Sequence, residues 1–472
     1  MGQNLKSYSW SFVNKIGSQA IGFLGNILIA RQLSPDDYGL VGMLAIFIAI
    51  SWSFAESGLA DYLLSRPDVD SLDTSTVFIF NLCIAIIFYG LLFFLAPIIS
   101  NFYGRYELDE ILKIIGLSLI FRALSFTELI MLQKELQFKT LAFLNLSTSF
   151  VSVVISYSMA LSGWGYWSLV FQNISIPITI IFLLTIIYGW RPSFRFSYKR
   201  FKKMSRFGFN MLFAFIVNQV GKNIYSSFIG KIYSPKDLGL YMQGTKITDT
   251  AFQSINSIIL GTSYSLIAKE QQRTRRREMY KGVLNHFLFI HFVISFFIIG
   301  ASQSLLLLVF GEKWVASTPY LQLLTISLFL QPLTTINYNM IKIAGKTDIY
   351  RNLTFLSVGF NLVVLLFTYQ YSIEVIIIGQ IGARYMSSII DVLICGKYGE
   401  VLPTVQLFIA IKQFWIPLIS CILAFYIAHN LEKPIWFLAI FSLTYALLFL
   451  FTNLLFRNTV MMSFLTKLKK CV

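Results

Sequence analysis

The chain has 472 residues, 56% of them hydrophobic and only 13% charged, with a formal charge of +16. Ordinary soluble proteins carry about 25% charged residues, so this composition excludes a water-soluble globule and predicts an all-α polytopic membrane protein. The Lys and Arg residues fall in short loops between apolar runs, without the aromatic-bearing soluble module that RNA or DNA binding requires, so the charge points to membrane topology and not to nucleic acid.

Taken in order, the chain begins with a polar arm, Met1 to Trp10, carrying a single Lys6, and no small-residue cleavage site follows the first apolar run, so no removable signal peptide is expected. Apolar runs of the length needed to cross roughly 30 Å of hydrocarbon predict fourteen spans. They lie at about 10–30, 38–64, 76–102, 111–130, 141–162, 166–189, 207–230, 238–267, 283–309, 319–341, 352–371, 374–395, 407–429 and 434–456. Cys83, Cys395, Cys421 and Cys471 lie in or beside these runs with no CxxC spacing. They read as small hydrophobes, not as a disulfide framework or a metal site.

One stretch occurs twice. Arg31-Gln-Leu-Ser-Pro-Asp-Asp-Tyr-Gly-Leu40 returns as Lys231-Ile-Tyr-Ser-Pro-Lys-Asp-Leu-Gly-Leu240, with Ser, Pro, Asp, Gly and Leu recurring at a single offset. Each copy joins two apolar runs. Pro ends the first helix and Ser or Asp caps the second, so both read as tight polar hairpins. Six spans separate the copies, so the two halves enter the membrane in the same direction and form a parallel repeat. The expected organisation is an N-lobe over 1–190 (spans 1–6), a basic linker over 191–206, a C-lobe over 207–396 (spans 7–12), and two further spans with a basic tail over 397–472.

The basic residues crowd onto one side of this plan. The densest groups are 191–206, with Lys199-Arg200-Phe201-Lys202-Lys203, and 269–281, with Arg273-Thr-Arg-Arg-Arg277. The positive-inside rule then puts both termini in the cytoplasm. The same clusters are chemically suited to anionic lipid heads. No outer loop exceeds about ten residues, which leaves no extracytoplasmic domain for chemistry.

Charged side chains within spans cost about 2.5–3.5 kcal/mol each at the centre and normally face a cavity or a partner. The basic ones are Lys15, Arg122, Lys222, Lys246 and Arg384; the acidic ones are Glu56, Asp61, Glu128, Asp249, Glu374 and Asp391. Arg122, Lys222 and Arg384 lie nearest the middle of their spans. Lys246 with Asp249, and Arg384 with Asp391, share helical faces and are placed either to neutralise each other or to serve a cavity. Unpaired cations lining a cavity between two halves would suit an anionic solute such as a phosphate or diphosphate. Polar span residues such as Asn26, Asn145, Asn173, Asn223 and Asn337 would suit a sugar.

Ala30-Arg-Gln-Leu-Ser-Pro-Asp-Asp-Tyr-Gly-Leu-Val-Gly-Met43, Phe54-Ala-Glu-Ser-Gly-Leu59 and Leu308-Val-Phe-Gly-Glu-Lys-Trp314 resemble the polysaccharide transporters of the multidrug/oligosaccharidyl-lipid/polysaccharide (MOP) exporter superfamily, and among them the Wzx-type lipid-linked oligosaccharide flippases. The resemblance implies a V-shaped pair of six-helix bundles plus two C-terminal spans. It implies a flippase, not an enzyme, of the bacterial inner membrane that carries an undecaprenyl-diphosphate-linked repeat unit outward by alternating access.

On that reading Arg122, Lys222, Arg384, Lys15 and Lys246 are candidates for the diphosphate and glycan. Glu56 and Asp249 are candidates for H+ or Na+ coupling, and Asp36, Asp37 and Asp237 for the outer hairpin gate. No resident cofactor or metal is implied, and partners would be the lipid-linked oligosaccharide, membrane lipids and neighbouring biosynthetic proteins such as a polymerase. Two rivals remain. One is a cation-coupled multidrug exporter of the same superfamily. The other is a membrane polymerase or glycosyltransferase, for which Asp68-Val-Asp70 supplies a DxD pattern.

Overall fold

The computed structural model describes residues 2–56, 59–66, 68–398, 401–456, 458 and 460–462. Ser57 and Gly58 of the Glu-Ser-Gly stretch, the side chain of Asp61, Cys471 and the basic tail lie outside the described residues. The described chain is helical almost throughout. In order it forms α1 Gly2–Gln32, α2 Pro35–Met43, α3 Ala45–Glu56, α4 Leu59–Ser65, α5 Ser71–Tyr103, α6 Glu107–Lys134, α7 Phe138–Leu161, α8 Trp167–Ile187 and α9 Tyr198–Ile232. There follow α10 Pro235–Lys269, α11 Arg273–Val309, a 3-10 turn Glu312–Ser317, α12 Thr318–Ser327, α13 Gln331–Ile343, α14 Thr347–Thr368, α15 Ile373–Tyr398, α16 Pro403–Ala428 and α17 Pro434–Leu455.

Each of the fourteen expected spans falls on one helix or on a broken run of helices. Among the described residues nine helices are long and apolar enough to cross a membrane, or ten if α2 and α3, bent by 46°, count as one span. The chain is a multi-pass helical membrane protein. Span 2 is broken after Met43, and span 10 is broken between α12 and α13 at Leu328–Leu330, where the backbone tightens into i→i+3 hydrogen bonds. Pro332 sits in the first turn of α13, where its missing N–H costs nothing.

The chain divides into two compact units, Met1–Met242 and Gln243–Val472. In the first, α1 packs along α7, α5 along α6, and α8 against both α6 and α7, while α9 lies against α3, α4 and α5. Its two copies of the repeated stretch meet. Ser34 and Asp37 form a reciprocal capping box, with Asp37 N–H donating to Ser34 Oγ at 3.2 Å. Ser234 and Asp237 repeat it at 3.2 Å. A Cβ on Gly39 would run into the Pro235 carbonyl, and one on Gly239 into the Pro35 carbonyl. The glycine recurs in the repeat because each copy presses its helix start against the other's, and only a hydrogen fits.

The basic segment after α8 is pinned to the same unit. Ser75 Oγ donates to Ser193 O at 2.6 Å and accepts from Arg195 N–H at 2.8 Å, while Ser197 N–H donates to Thr76 Oγ1 at 3.2 Å. Arg200 bridges Asp70 at 2.6 Å and Asp73 at 2.8 Å.

In the second unit α11 packs against α12, α16 and α17, and α15 against α12, α13 and α14. Phe292, Phe296, Phe329 and Phe414 interlock with ring centroids 5.2–6.4 Å apart, a packing that suits aromatic quadrupoles. Buried amides tie α16 to the rest of the unit. Tyr280 donates to Asn337 at 2.8 Å, Asn337 to Gln406 at 2.9 Å, and Gln413 to Asn285 at 2.6 Å. The spans after residue 400 are therefore part of the core of this unit and not an appendage on it.

Candidate functional site

The best-formed polar cluster in the first unit joins two spans. Arg122 projects from the middle of α6 and Glu56 ends α3. Arg122 Nε donates to Glu56 Oε1 at 2.5 Å and Nη2 approaches the same oxygen at 2.5 Å. Trp52, one turn before Glu56 on α3, lies under the guanidinium with its ring centre 4.8 Å from Cζ. The two charged side chains keep 37% and 29% of their exposure. The α3 helix thus presents a carboxylate and an indole face to one arginine, an arrangement that fixes the guanidinium by charge and by cation–π attraction. Arg122 finds its carboxylate on another span, while Glu128 on its own helix is hydrogen-bonded with Trp190.

The other expected site residues are dispersed. Lys15 on α1 and Lys222 on α9 are exposed, and neither has an ion-pair partner among the described residues. Lys246 and Asp249 are exposed on α10. Arg384 Nη1 donates to Ser327 Oγ at 2.7 Å, and Tyr385 beside it donates to Ile326 O at 2.7 Å. Of the two alternatives for Arg384 and Asp391, mutual neutralisation does not occur: Arg384 is bonded to Ser327 of α12, while Asp391 is buried against Thr334 and Tyr338 of α13. Asp37 and Asp237 cap their helices, and Asp36 is exposed beside the first cap. Among the described residues Glu56 and Arg122 meet in an ion pair between two spans of one unit.

Several polar span residues are already engaged inside their unit. Asn26 accepts from Tyr38 at 3.1 Å, Asn145 donates to Asn14 at 3.1 Å, and Asn173 and Asn223 donate to carbonyls four residues back on their own helices at 2.9 Å. Asp70 of the DxD pattern is a helix cap: it accepts from Leu72 N–H at 3.0 Å and Asp73 N–H at 2.9 Å. The backbone N–H of Asp73, ahead of Arg200, holds its carboxyl below the ordinary carboxylate range. An aspartate committed in this way to two amides and an arginine is poorly placed to hold a catalytic metal. Among the described residues no group of three or more His, Cys, Asp or Glu side chains is placed to ligate one.

An apolar groove of about 270 Å³ opens on the first unit, lined by Phe47, Ile50, Phe102, Tyr103 and Phe228 with Lys231 at its side. Lys231 Nζ contacts the Phe102 carbonyl and lies 4.5 Å from the centre of the Phe102 ring. Trp52, Ser327, Thr334 and Tyr338 escaped sequence reasoning. Trp52 carried a signal, its i,i+4 spacing to Glu56. Thr334 carried none, because nothing in the spacing pairs spans 10 and 12.

Residues 28–319 match the model of the family described as "Polysaccharide biosynthesis protein". Among characterised proteins, the chain is 25% identical over 300 residues to the teichuronic acid biosynthesis protein TuaB of Bacillus subtilis (strain 168), covering 62% of each chain. It is 24% identical to the succinoglycan biosynthesis transport protein ExoT of Rhizobium meliloti (strain 1021), over 68% of this chain and 65% of that one. It is 22% identical to the lipopolysaccharide biosynthesis protein WzxC of Escherichia coli (strain K12), over 69% and 66%. The matches thus span 62–66% of these relatives' own length.

In fold the chain is similar to the lipid II flippase MurJ in an inward closed conformation, with a TM-score of 0.77 at 16% identity, covering 95% of this chain and 99% of that one. It is also similar to an inward-facing multidrug resistance MATE transporter of the MOP superfamily, with a TM-score of 0.60 at 15% identity, over 83% and 98%. The family model covers well over half of the chain, and the chain belongs to the polysaccharide biosynthesis protein family.

Proposed function

We propose that this protein is a flippase that moves lipid-linked oligosaccharide repeat units, carried on an isoprenyl diphosphate, across the bacterial inner membrane by alternating access for surface polysaccharide synthesis. The family match over residues 28–319 carries this reading. The MurJ-like helical fold supports it, since that neighbour is a lipid II flippase. A diphosphate is recognised by fixed guanidinium forks and mobile ammonium groups. Arg122, already oriented by Glu56 and Trp52, and Arg384, oriented by Ser327, are the proposed head-group contacts. Lys222, Lys15 and Lys246 are the proposed flexible cations along the path, and Asp37 and Asp237 shape the hairpins at its outer end.

Both termini lie in the cytoplasm on this reading, which agrees with the Lys and Arg excess in the loops of that side. The protein provides passage and not bond chemistry, and its partners are the glycolipid, the surrounding lipids and the enzymes that assemble and polymerise the glycan.

The test is a deletion strain. Lipid-linked oligosaccharide should accumulate on the inner leaflet while surface polymer disappears, and the wild-type gene should restore it where R122A and R384A, at normal protein level, do not. Unchanged polymer in both variants would overturn the assignment of these arginines. The likeness to MATE transporters supports a second reading, a multidrug exporter. Drug sensitivity with intact surface polymer in the deletion strain would favour it.

A further inference from the structure

The segment that joins α8 to α9 is exposed and yet tightly held. Its backbone is tied to the first turns of α5 at Ser193, Arg195 and Ser197, which reach the Ser75 and Thr76 hydroxyls. Bonds at alternate residues are those of an extended chain, in which the side chains of 194 and 196 share a face. Phe194 and Phe196 occupy it, 68% and 48% exposed, and Tyr198, 69% exposed, follows at the start of α9. Phe194 meets Phe78 edge-on at 5.7 Å, and Phe196 and Tyr198 lean on Phe201 at 6.1 and 6.5 Å.

Cations alternate with these rings along the chain. Arg191, Arg195, Lys199, Lys202 and Lys203 are exposed, and none has an ion-pair partner among the described residues. Arg200, between them, is spent on Asp70 and Asp73. The depth of this surface follows from the helices it touches. Both α5 and α8 are long and apolar enough to cross a membrane, and the segment lies where α8 ends and α5 begins. With 33 residues, α5 is about 50 Å long against about 30 Å of hydrocarbon. Its first turns, with Ser75 and Thr76, therefore stand at the level of the lipid headgroups. Aromatic rings at that depth rest in the interface, and cations beside them reach lipid phosphate.

We propose that residues 191–203 form a binding site for anionic phospholipid of the bilayer, with the rings of Phe194, Phe196 and Tyr198 set in the interface and the five unpaired cations on the headgroup. A zwitterionic head brings its own ammonium and leaves these cations uncompensated, whereas a head of net negative charge neutralises them. The two arginines suit bidentate contact with phosphate, and the three lysines add point charges. The bilayer already surrounds both spans, so this occupant needs no recruitment. The proposal does not depend on the solute that the protein moves.

The test uses the purified full-length protein in nanodiscs of phosphatidylcholine that contain a phosphatidylglycerol probe with a photoreactive headgroup, and adducts are mapped by mass spectrometry. Wild type should be labelled within 191–203, and unlabelled phosphatidylglycerol should compete where phosphatidylcholine does not. Labelling should fall as salt is raised. R195Q combined with K199Q, K202Q and K203Q should lower it by about tenfold or more. F196S with Y198S should lower it too, at unchanged salt dependence. Equal competition by phosphatidylcholine would make the segment a general lipid contact and overturn the proposal, a result read on wild type alone. Competition by an isoprenyl diphosphate but not by phosphatidylglycerol would overturn it in favour of a transported lipid. Equal loss of labelling with R273Q, R275Q, R276Q and R277Q combined would show a response to overall charge, and that too would overturn it.

Discussion

Arg122 is held by two unlike attractions, a carboxylate on one side and an indole face on the other, and each predicts something different. If Glu56 and Trp52 serve to fix the guanidinium for a ligand, the exchanged pair E56R with R122E should restore stability but not export. Removing Arg122 alone should cost about 1–2 kcal/mol of stability, since the pair is partly exposed, and melting of the purified variants measures it. Recovery of polymer production by the exchanged pair would reduce the cluster to a brace. Sequence reasoning placed Arg122 among the candidates by depth alone and assigned it no partner, because ion pairs across spans leave no periodic trace. The spacing of Arg384 and Asp391 suggested a pair that tertiary packing dissolved: Ser327 reached one and the α13 hydroxyls surrounded the other.

At the scale of elements, the repeated Ser-Pro-x-Asp-x-Gly stretch was legible in full as a pair of capped hairpins, because caps and proline act within four residues. What it could not disclose is that the copies pack on each other, which explains the glycine. G39L or G239L should each cost about 1–3 kcal/mol by overpacking, read as lowered melting, whereas Gly22, which faces open space, should tolerate alanine.

The start of α5 gives a prediction in pH. Asp70 is held below its ordinary range by the Asp73 amide and then by Arg200. Its contribution is therefore fully present above the unfolded carboxylate value of about 3.9 and is lost as pH falls through the lower folded value. Hydrogen exchange at the Leu72 and Asp73 amides should be insensitive to pH-dependent capping at neutrality and should lose its protection only in strong acid. D70A should lack that protection at every pH. Loss of wild-type protection near neutrality would contradict the cap.

For the whole molecule, composition sufficed to exclude a soluble enzyme and to predict a helical membrane protein, since burial of apolar runs in lipid follows from length and hydropathy alone. The runs were found nearly in place, and the breaks in spans 2 and 10 were not, because they arise from local backbone tightening within apolar sequence. The family followed from short motifs in order, while the embedding of α16 in its unit depended on buried amides scattered over 130 residues of chain, which no local pattern links.

The most direct measurement is translocation by the purified protein in proteoliposomes. They would be loaded with an isoprenyl-diphosphate oligosaccharide, with transfer between leaflets followed by the accessibility of its glycan to a membrane-impermeant glycosidase. Transfer should be fast with the wild-type protein, reduced to the protein-free rate with R122A, and unaffected by G22A, at a glycine that faces open space on α1. Protein-free rates with the wild-type protein, under conditions where it is folded, would contradict the account.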